Sequence, residues 1–197
     1  MILGIINENQ YDEEQKMKKI ELIEIPFNFL GQSLTSSSLT NKNLEVPKMR
    51  DVIGDPQTTT YVPNRNMLFL SLAASLAESL KASTVYYGAA AADNTSGYWD
   101  CTSEFRSLLN QILSLNRRNL IQISAPLIEM SKEEIIHYGL ELGVDYSYTH
   151  TCYDPIEDTS CGVCPSCAAR LGGFIKAKLK DPVSYRIEVP WIQFGII

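Results

Sequence analysis

Cys152-Tyr153-Asp154-Pro155-Ile156-Glu157-Asp158-Thr159-Ser160-Cys161-Gly162-Val163-Cys164-Pro165-Ser166-Cys167 is a C-x8-C-x2-C-x2-C cluster. Overlapping C-x2-C steps let a tight turn aim neighbouring thiolates at one point, and four soft ligands in a small tetrahedron are what zinc requires. Pro155 and the polar run Glu157 to Ser160 supply the loop that the longer first gap needs. Four protein ligands make a closed site, which holds structure and does not activate water.

The same four cysteines admit other readings. Four thiolates also suit an iron–sulfur cluster, and spacing does not separate that from zinc. Disulfides fit poorly. The five cysteines are an odd count, and the N-terminal MILGIINENQYDEEQ lacks the basic start, apolar core and cleavage site of a signal peptide. A reducing cytoplasm is the expected compartment. A redox C-x-x-C opens a helix after a strand and needs no four sulfurs. Zinc is the favoured reading, and Cys101, distant in sequence, is expected to be a small core or pocket residue.

Working outward, 197 residues can bury a core that does not depend on the metal alone. A net charge of −6 argues against sequence-independent nucleic-acid binding. No apolar run approaches the ~20 residues needed to span a bilayer, so no membrane partner is expected. Met1 to Ile6 reads as a buried strand and Glu21 to Ile25 as a second. Asn9 to Lys19 is helix-compatible. Gly31 to Thr60, rich in Ser, Thr and Asn, is a long loop of the functional or disordered kind. Asn64 to Lys81 is the clearest helix, apolar on most faces and so expected to be deeply packed. Ser83–Tyr87 is a strand, Ser103–Leu115 a helix and Leu120–Ser124 a strand. Ser131-Lys132-Glu133-Glu134 is a capping box opening a helix that stops at Gly143, and a last helix runs from Pro165 to about Lys180. Strand–helix alternation predicts an α/β fold, a parallel sheet with flanking helices, in one domain over residues 1–197 with the knuckle at 152–167. The apolar end, Glu188 to Ile197, is expected to be packed as an edge strand, as a groove cover or against another subunit.

Several segments in one colinear order resemble the 7-cyano-7-deazaguanine synthase family. Tyr61-Val62-Pro63-Asn64-Arg65-Asn66 is similar to its V-P-x-R-N motif, and Ser96-Gly97-Tyr98-Trp99-Asp100-Cys101 to its S-G-Y-P-D-C motif with Trp99 in place of proline. Ala125-Pro126-Leu127 to Lys132-Glu133-Glu134-Ile135 resembles its P-L…K-x-E-I segment, and Thr151-Cys152-Tyr153 with the later cysteines its zinc site. The resemblance covers residues 58 to 180. It implies a nucleotide-binding sheet and an ATP-dependent conversion of 7-carboxy-7-deazaguanine and ammonia to the nitrile through adenylated intermediates. ATP with Mg2+, a small deazapurine and structural Zn2+ are the implied cofactors and partners. The family's S-G-G-x-D-S loop does not occur in this sequence, and Met1 to Gln10 resembles the strand that follows it. Three readings of that departure stay open: a fragment or mis-called start that lost the loop, one half of a split enzyme, and a non-catalytic zinc-stabilised binding subunit; a homo-oligomer is a further candidate assembly.

The candidate residues divide by chemistry. Arg65 is a cation at a helix start, which the macrodipole disfavours unless an anion is near; a phosphate or carboxylate ligand would supply one. Asp93 and Asp100 flank a glycine turn after a strand, where α/β sheets bind ligands, and suit a guanine-like edge or magnesium. Tyr98 suits stacking on a planar heterocycle. Lys132 in the capping box suits a phosphate. His137 and His150 receive no role. The metal ligands are Cys152, Cys161, Cys164 and Cys167.

Overall fold

The computed structural model describes residues 2–5, 21–24, 35–90 and 97–196. Met1, Ile6, the stretch 9–19, Ile25, Asp93, Ser96 and Ile197 lie outside the described residues.

Strands β1 (Ile2–Ile5) and β2 (Glu21–Glu24) pair antiparallel, Ile2 opposite Glu24 and Ile5 opposite Glu21. Strands β3 (Thr84–Tyr86) and β4 (Gln122–Ser124) pair parallel, with Val85 opposite Ile123. The parallel sheet expected from the alternation is therefore present at β3 and β4. Among the described residues the N-terminal strands form a separate antiparallel pair. The residue pattern within a strand sets which side chains share a face. It carries no information on strand direction.

Helix α1 (Arg65–Leu80) enters β3, and α2 (Ser103–Leu113) lies on the crossover from β3 to β4. Leu70 of α1, Phe105 and Leu109 of α2 and Ile123 of β4 form one buried cluster, extended by Ala74, Ala77 and Ile121. Only Leu70, Ala74 and Ala77 of α1 are fully buried. The expectation of burial on most faces is thus corrected to a one-sided helix. Ser71, Ser75 and Ser79 are exposed, and each hydroxyl donates to the carbonyl one turn back, at 2.8, 3.0 and 3.0 Å.

Local signals set the helix ends. The Thr102 hydroxyl accepts from the Phe105 amide at 3.0 Å and caps α2. Helix α3 (Lys132–Glu141) starts at the full capping box: the Glu134 amide donates to the Ser131 hydroxyl and the Ser131 amide to the Glu134 carboxylate, at 3.2 and 2.7 Å. It ends through Gly143 at φ 77°, a conformation that favours glycine. Helix α4 (Pro165–Lys176) begins with proline in its first turn and ends four residues earlier than expected. Lys178 turns at φ 58°, which returns Leu179 to the cluster of Ile136, Phe174 and Ala177. A Cβ on Gly173 would stand 2.8 Å from Lys132 Cβ, so the absence of a side chain there lets α4 approach the start of α3.

Of the long loop, Gly31 to Thr60, the structure describes residues 35–60. Ser37 and Thr60 are fully buried, the Ser38 amide donates to the Thr59 carbonyl at 2.8 Å, and the Met49 amide donates to the Val163 carbonyl at 2.8 Å. The C-terminal end forms a short 3-10 turn, Trp191–Phe194, rather than an edge strand. Trp191 packs on the Ile136–Phe174 cluster and Ile196 is buried, whereas Ile192 is 85% exposed.

Arg170 on α4 and Asp181 beyond it form a buried ion pair, Nε to Oδ2 at 2.6 Å and Nη2 to Oδ1 at 2.9 Å. The guanidinium also donates to the Thr149 hydroxyl at 2.7 Å and to the Tyr146 carbonyl at 3.2 Å, and lies 5.3 Å from the Phe174 ring centre. Burial works against its charge, but the Asp181 carboxylate outweighs burial and holds the group above its ordinary value. Asp181→Ala leaves a buried cation unpaired. It is expected to lower the unfolding free energy by about 3–5 kcal/mol in urea titration.

Candidate functional site

The four cysteines of the knuckle converge. Their Sγ atoms all lie within 4.8 Å of one another, with Cys161 and Cys167 Sγ 3.9 Å apart, and none is paired in a disulfide. Metal–sulfur bonds of about 2.3 Å in a tetrahedron require edges of about 3.8 Å, so the quartet fits one ion. Backbone amides face the sulfurs. Asp154 and Cys161 donate to Cys152 Sγ at 3.3 and 3.1 Å, Val163 and Cys164 to Cys161 Sγ at 3.4 and 3.3 Å, and Cys167 to Cys164 Sγ at 3.4 Å. Such donors stabilise thiolate over thiol. Cys164 is also the N-cap of α4, where the helix dipole favours negative charge. The Cys167 thiol beside it pulls Cys164 down to about 5 and is itself pushed up. Gly162 turns at φ 79° against the Ile187 side chain, which permits the tight step between Cys161 and Cys164. The His150 ring nitrogen Nε2 donates to the Cys152 carbonyl at 2.9 Å.

Two cavities adjoin the knuckle and share Tyr98 and Tyr153. The first, about 300 Å³, is lined by Arg65, Asn66 and Phe69 of α1, Tyr87 to Ala89 just past β3, and Cys101. It lies at the C-terminal end of a parallel strand, where open α/β sheets take ligands. The Tyr87 hydroxyl is buried there without a hydrogen-bond partner among the described residues, and burial with the nearby Cys101 pushes its pKa up to about 12. The second cavity, about 210 Å³, lies between α3 and α4 and is lined by Lys132, Ile136, Tyr146, Thr151, Ser166, Ala169 and Arg170.

Tyr98 is held by hydroxyls. Thr58 and Thr60 are 2.6 Å apart at Oγ1, and Thr60 Oγ1 is 2.6 Å from Tyr98 Oη. Burial and the hydrogen-bonded Tyr98 push the Tyr153 phenol above its ordinary value, while Ser166 and Arg65 pull it back. The loop, the tyrosine pair and the first turn of α4 are thus joined by hydroxyl contacts. Trp99, where the resembling family carries proline, donates its Nε1 to the Tyr61 hydroxyl at 2.9 Å and packs edge-on against Phe105 at 5.4 Å.

The sequence candidates separate accordingly. Arg65 and Tyr98 line the first cavity, and Tyr98 and Lys132 the second. Asp100 is 3% exposed, and its carboxylate accepts from the Asn66 amide at 3.3 Å. That carboxylate supplies an anion at the α1 terminus beside Arg65, in place of the side-chain cap that Asn64 at φ 55° does not give. Burial pushes the Asp100 carboxyl up, against the Asn66 amide and the Arg65 charge. Asp93 lies outside the described residues.

The family model described as "Queuosine biosynthesis protein QueC" matches residues 7–178. The 7-cyano-7-deazaguanine synthase of Caldicellulosiruptor saccharolyticus is 40% identical over 180 residues, covering 89% of this chain and 79% of that protein. The synthase of Syntrophotalea carbinolica is 45% identical over 166 residues, 81% of this chain and 69% of its own, and that of Rickettsia conorii 45% over 162 residues, 78% and 71%. The chain belongs to the QueC family.

The QueC match begins near residue 7, well before the resemblance read from residue 58. Tyr153, Ser166 and Arg170 line the cavities and Thr60 holds Tyr98 at their common wall, and no role for these four was expected from sequence. Tyr153 and Ser166 adjoin cysteine ligands, and that adjacency was the available signal. Thr60 and Arg170 carry no local signal, since their partners are Tyr98 and Asp181.

Removing one ligand should open the quartet. Cys164→Ala is expected to abolish metal retention after gel filtration. It should lower the unfolding free energy by at least about 3 kcal/mol, a fraction of the roughly 10–16 kcal/mol apparent binding energy of structural zinc.

Proposed function

We propose that this chain makes 7-cyano-7-deazaguanine from 7-carboxy-7-deazaguanine, ammonia and ATP. The observation that carries the reading is the match of residues 7–178 to the QueC model, together with 40–45% identity to relatives named 7-cyano-7-deazaguanine synthase.

The chemistry accounts for the ATP. A carboxylate oxygen is a poor leaving group. Its attack on the α-phosphorus expels pyrophosphate and makes an acyl adenylate. Ammonia adds to the acyl carbon and AMP leaves, giving the amide after loss of a proton. The amide oxygen then attacks a second ATP in the same way. Loss of AMP and of both nitrogen-bound protons then leaves the nitrile. Arg65 at the first cavity is suited to phosphate oxygens, because a guanidinium forms paired hydrogen bonds. Asp100 acts by holding the start of α1, and through it Arg65. Magnesium bound with the nucleotide would screen phosphate charge.

The knuckle is read as a structural zinc site, closed by Cys152, Cys161, Cys164 and Cys167, which holds the start of α4 and the Tyr153 turn beside the cavities. Zinc suits four thiolates and has no redox chemistry to protect. Elemental analysis is expected to give about one zinc per chain, with no visible charge-transfer bands; iron in stoichiometric amount would overturn this assignment. The cytoplasm, where ATP is plentiful and thiols stay reduced, is the assigned compartment.

A second reading, a non-catalytic binding subunit, is favoured by the lack of any Ser-Gly-Gly-x-Asp-Ser sequence among the 197 residues, since phosphate cradles rely on glycine backbone amides. Incubation with ATP, magnesium, ammonium and 7-carboxy-7-deazaguanine separates the two. Pyrophosphate and nitrile appearing together, two pyrophosphates per nitrile, is the expected result. Saturable binding of the base with no pyrophosphate supports the subunit reading, and neither binding nor turnover sinks both.

A further inference from the structure

The turn that carries Tyr98 is fixed by the loop before α1. Gly97, at φ 78°, sits against the Pro56 carbonyl, where a Cβ would collide. The Tyr98 ring packs on the buried cluster of Ala89, Cys101, Ala125 and Ile128, and its centre lies 6.4 Å from that of the Tyr61 ring. With backbone and ring held, the direction of the phenol proton is the freedom that remains. That direction matters because Tyr98 stands on the wall of both cavities.

Three hydroxyls decide it. Thr58 is 6% exposed and Thr60 1%. Thr58 Oγ1 has one hydrogen-bond partner among the described residues, Thr60 Oγ1 at 2.6 Å. A buried hydroxyl proton without an acceptor is costly, so the Thr58 proton goes to Thr60. The other neighbour of Thr60 Oγ1 is Tyr98 Oη at 2.6 Å, and the Thr60 proton goes there. The reverse order, Tyr98 giving to Thr60 and Thr60 to Thr58, would strand the Thr58 proton. Tyr98 Oη therefore accepts from the loop. Tyr153, its other hydrogen-bond partner, brings a proton of its own and fills the second lone pair. The Tyr98 proton is left for the cavity side. Hydrogen bonds in a row polarise one another, which makes the last hydroxyl a stronger donor.

We propose that Tyr98 is the hydrogen-bond donor to an acceptor atom of the deazapurine, a ring carbonyl or ring nitrogen, and that Thr60, backed by Thr58, is the positioning residue that turns the Tyr98 proton toward it. The assignment rests on the synthase reading for the identity of the base, and adds the sense in which the common wall recognises it. A neutral phenol suits a neutral acceptor, whereas the phosphate oxygens of a nucleotide are matched by the Arg65 guanidinium of the first cavity.

Calorimetric titration of 7-carboxy-7-deazaguanine into four proteins tests this, with a thermal melt of each. Tyr98→Phe and Thr60→Val are each expected to weaken the base about three- to tenfold, the worth of one neutral hydrogen bond. Thr60→Ser keeps the hydroxyl and should bind within about twofold of wild type. The Thr60→Val/Tyr98→Phe protein should bind within about twofold of Tyr98→Phe alone, because Thr60 acts only through the Tyr98 proton. Losses that multiply in the double variant, or Thr60→Ser as weak as Thr60→Val, give Thr60 a merely structural role and overturn the proposal. If Thr60→Val fails to fold, Thr58→Val/Thr60→Val removes both hydroxyls, strands no proton and is read in its place. If that protein fails as well, Tyr98→Phe decides alone. Tyr98→Phe binding as tightly as wild type refutes the donor and leaves the synthase reading intact. Wild-type protein that binds no base refutes the synthase reading and this assignment with it.

Discussion

The convergence of four sulfurs on one point organises the C-terminal half of this chain. Cys164 serves both as a member of the quartet and as the N-cap of α4, so the start of that helix is set by the same atoms that would hold the ion. Val46 from the long loop and Tyr185 from the C-terminal segment pack on the cysteines, and the Met49 amide bonds the carbonyl of Val163 inside the knuckle. Segments more than a hundred residues apart in sequence are thereby brought to one place. A polar loop with few apolar side chains cannot be held by burial alone, so hydrogen bonding, together with an ion when one is bound, would carry the load that hydrophobic area carries elsewhere.

A second fixed point is the buried carboxylate of Asp100 at the start of α1. Carboxylate and helix terminus stabilise each other because each is costly to bury alone. The pairing draws the Tyr98–Cys101 turn against Arg65 and Asn66, and so forms the first cavity. Arg170 and Asp181 do similar service at the second, where the bidentate pair ties α4 to the chain beyond it. The two cavities meet at Tyr98 and Tyr153, whose hydroxyls are held by Thr60 on one side and the start of α4 on the other.

Local sequence determined what local physics governs. The Cys spacing specified a cysteine quartet able to hold one metal ion, the Ser131–Glu134 box and Gly143 bounded α3, and Pro165 opened α4, because caps and turns depend on residues a few positions apart. The ordered set of motifs placed the chain in its family. Tertiary structure alone decided the antiparallel direction of β1 and β2, the one-sided burial of α1 and the 3-10 turn at the C-terminal end. It also decided that Asp100 faces a helix terminus, that Arg170 pairs with Asp181, and that Tyr153 stands between two cavities. Strand direction, ion-pair partners and cavity walls are contacts between residues distant in sequence. Their energies depend on how separate elements meet, and no pattern within one element encodes that meeting.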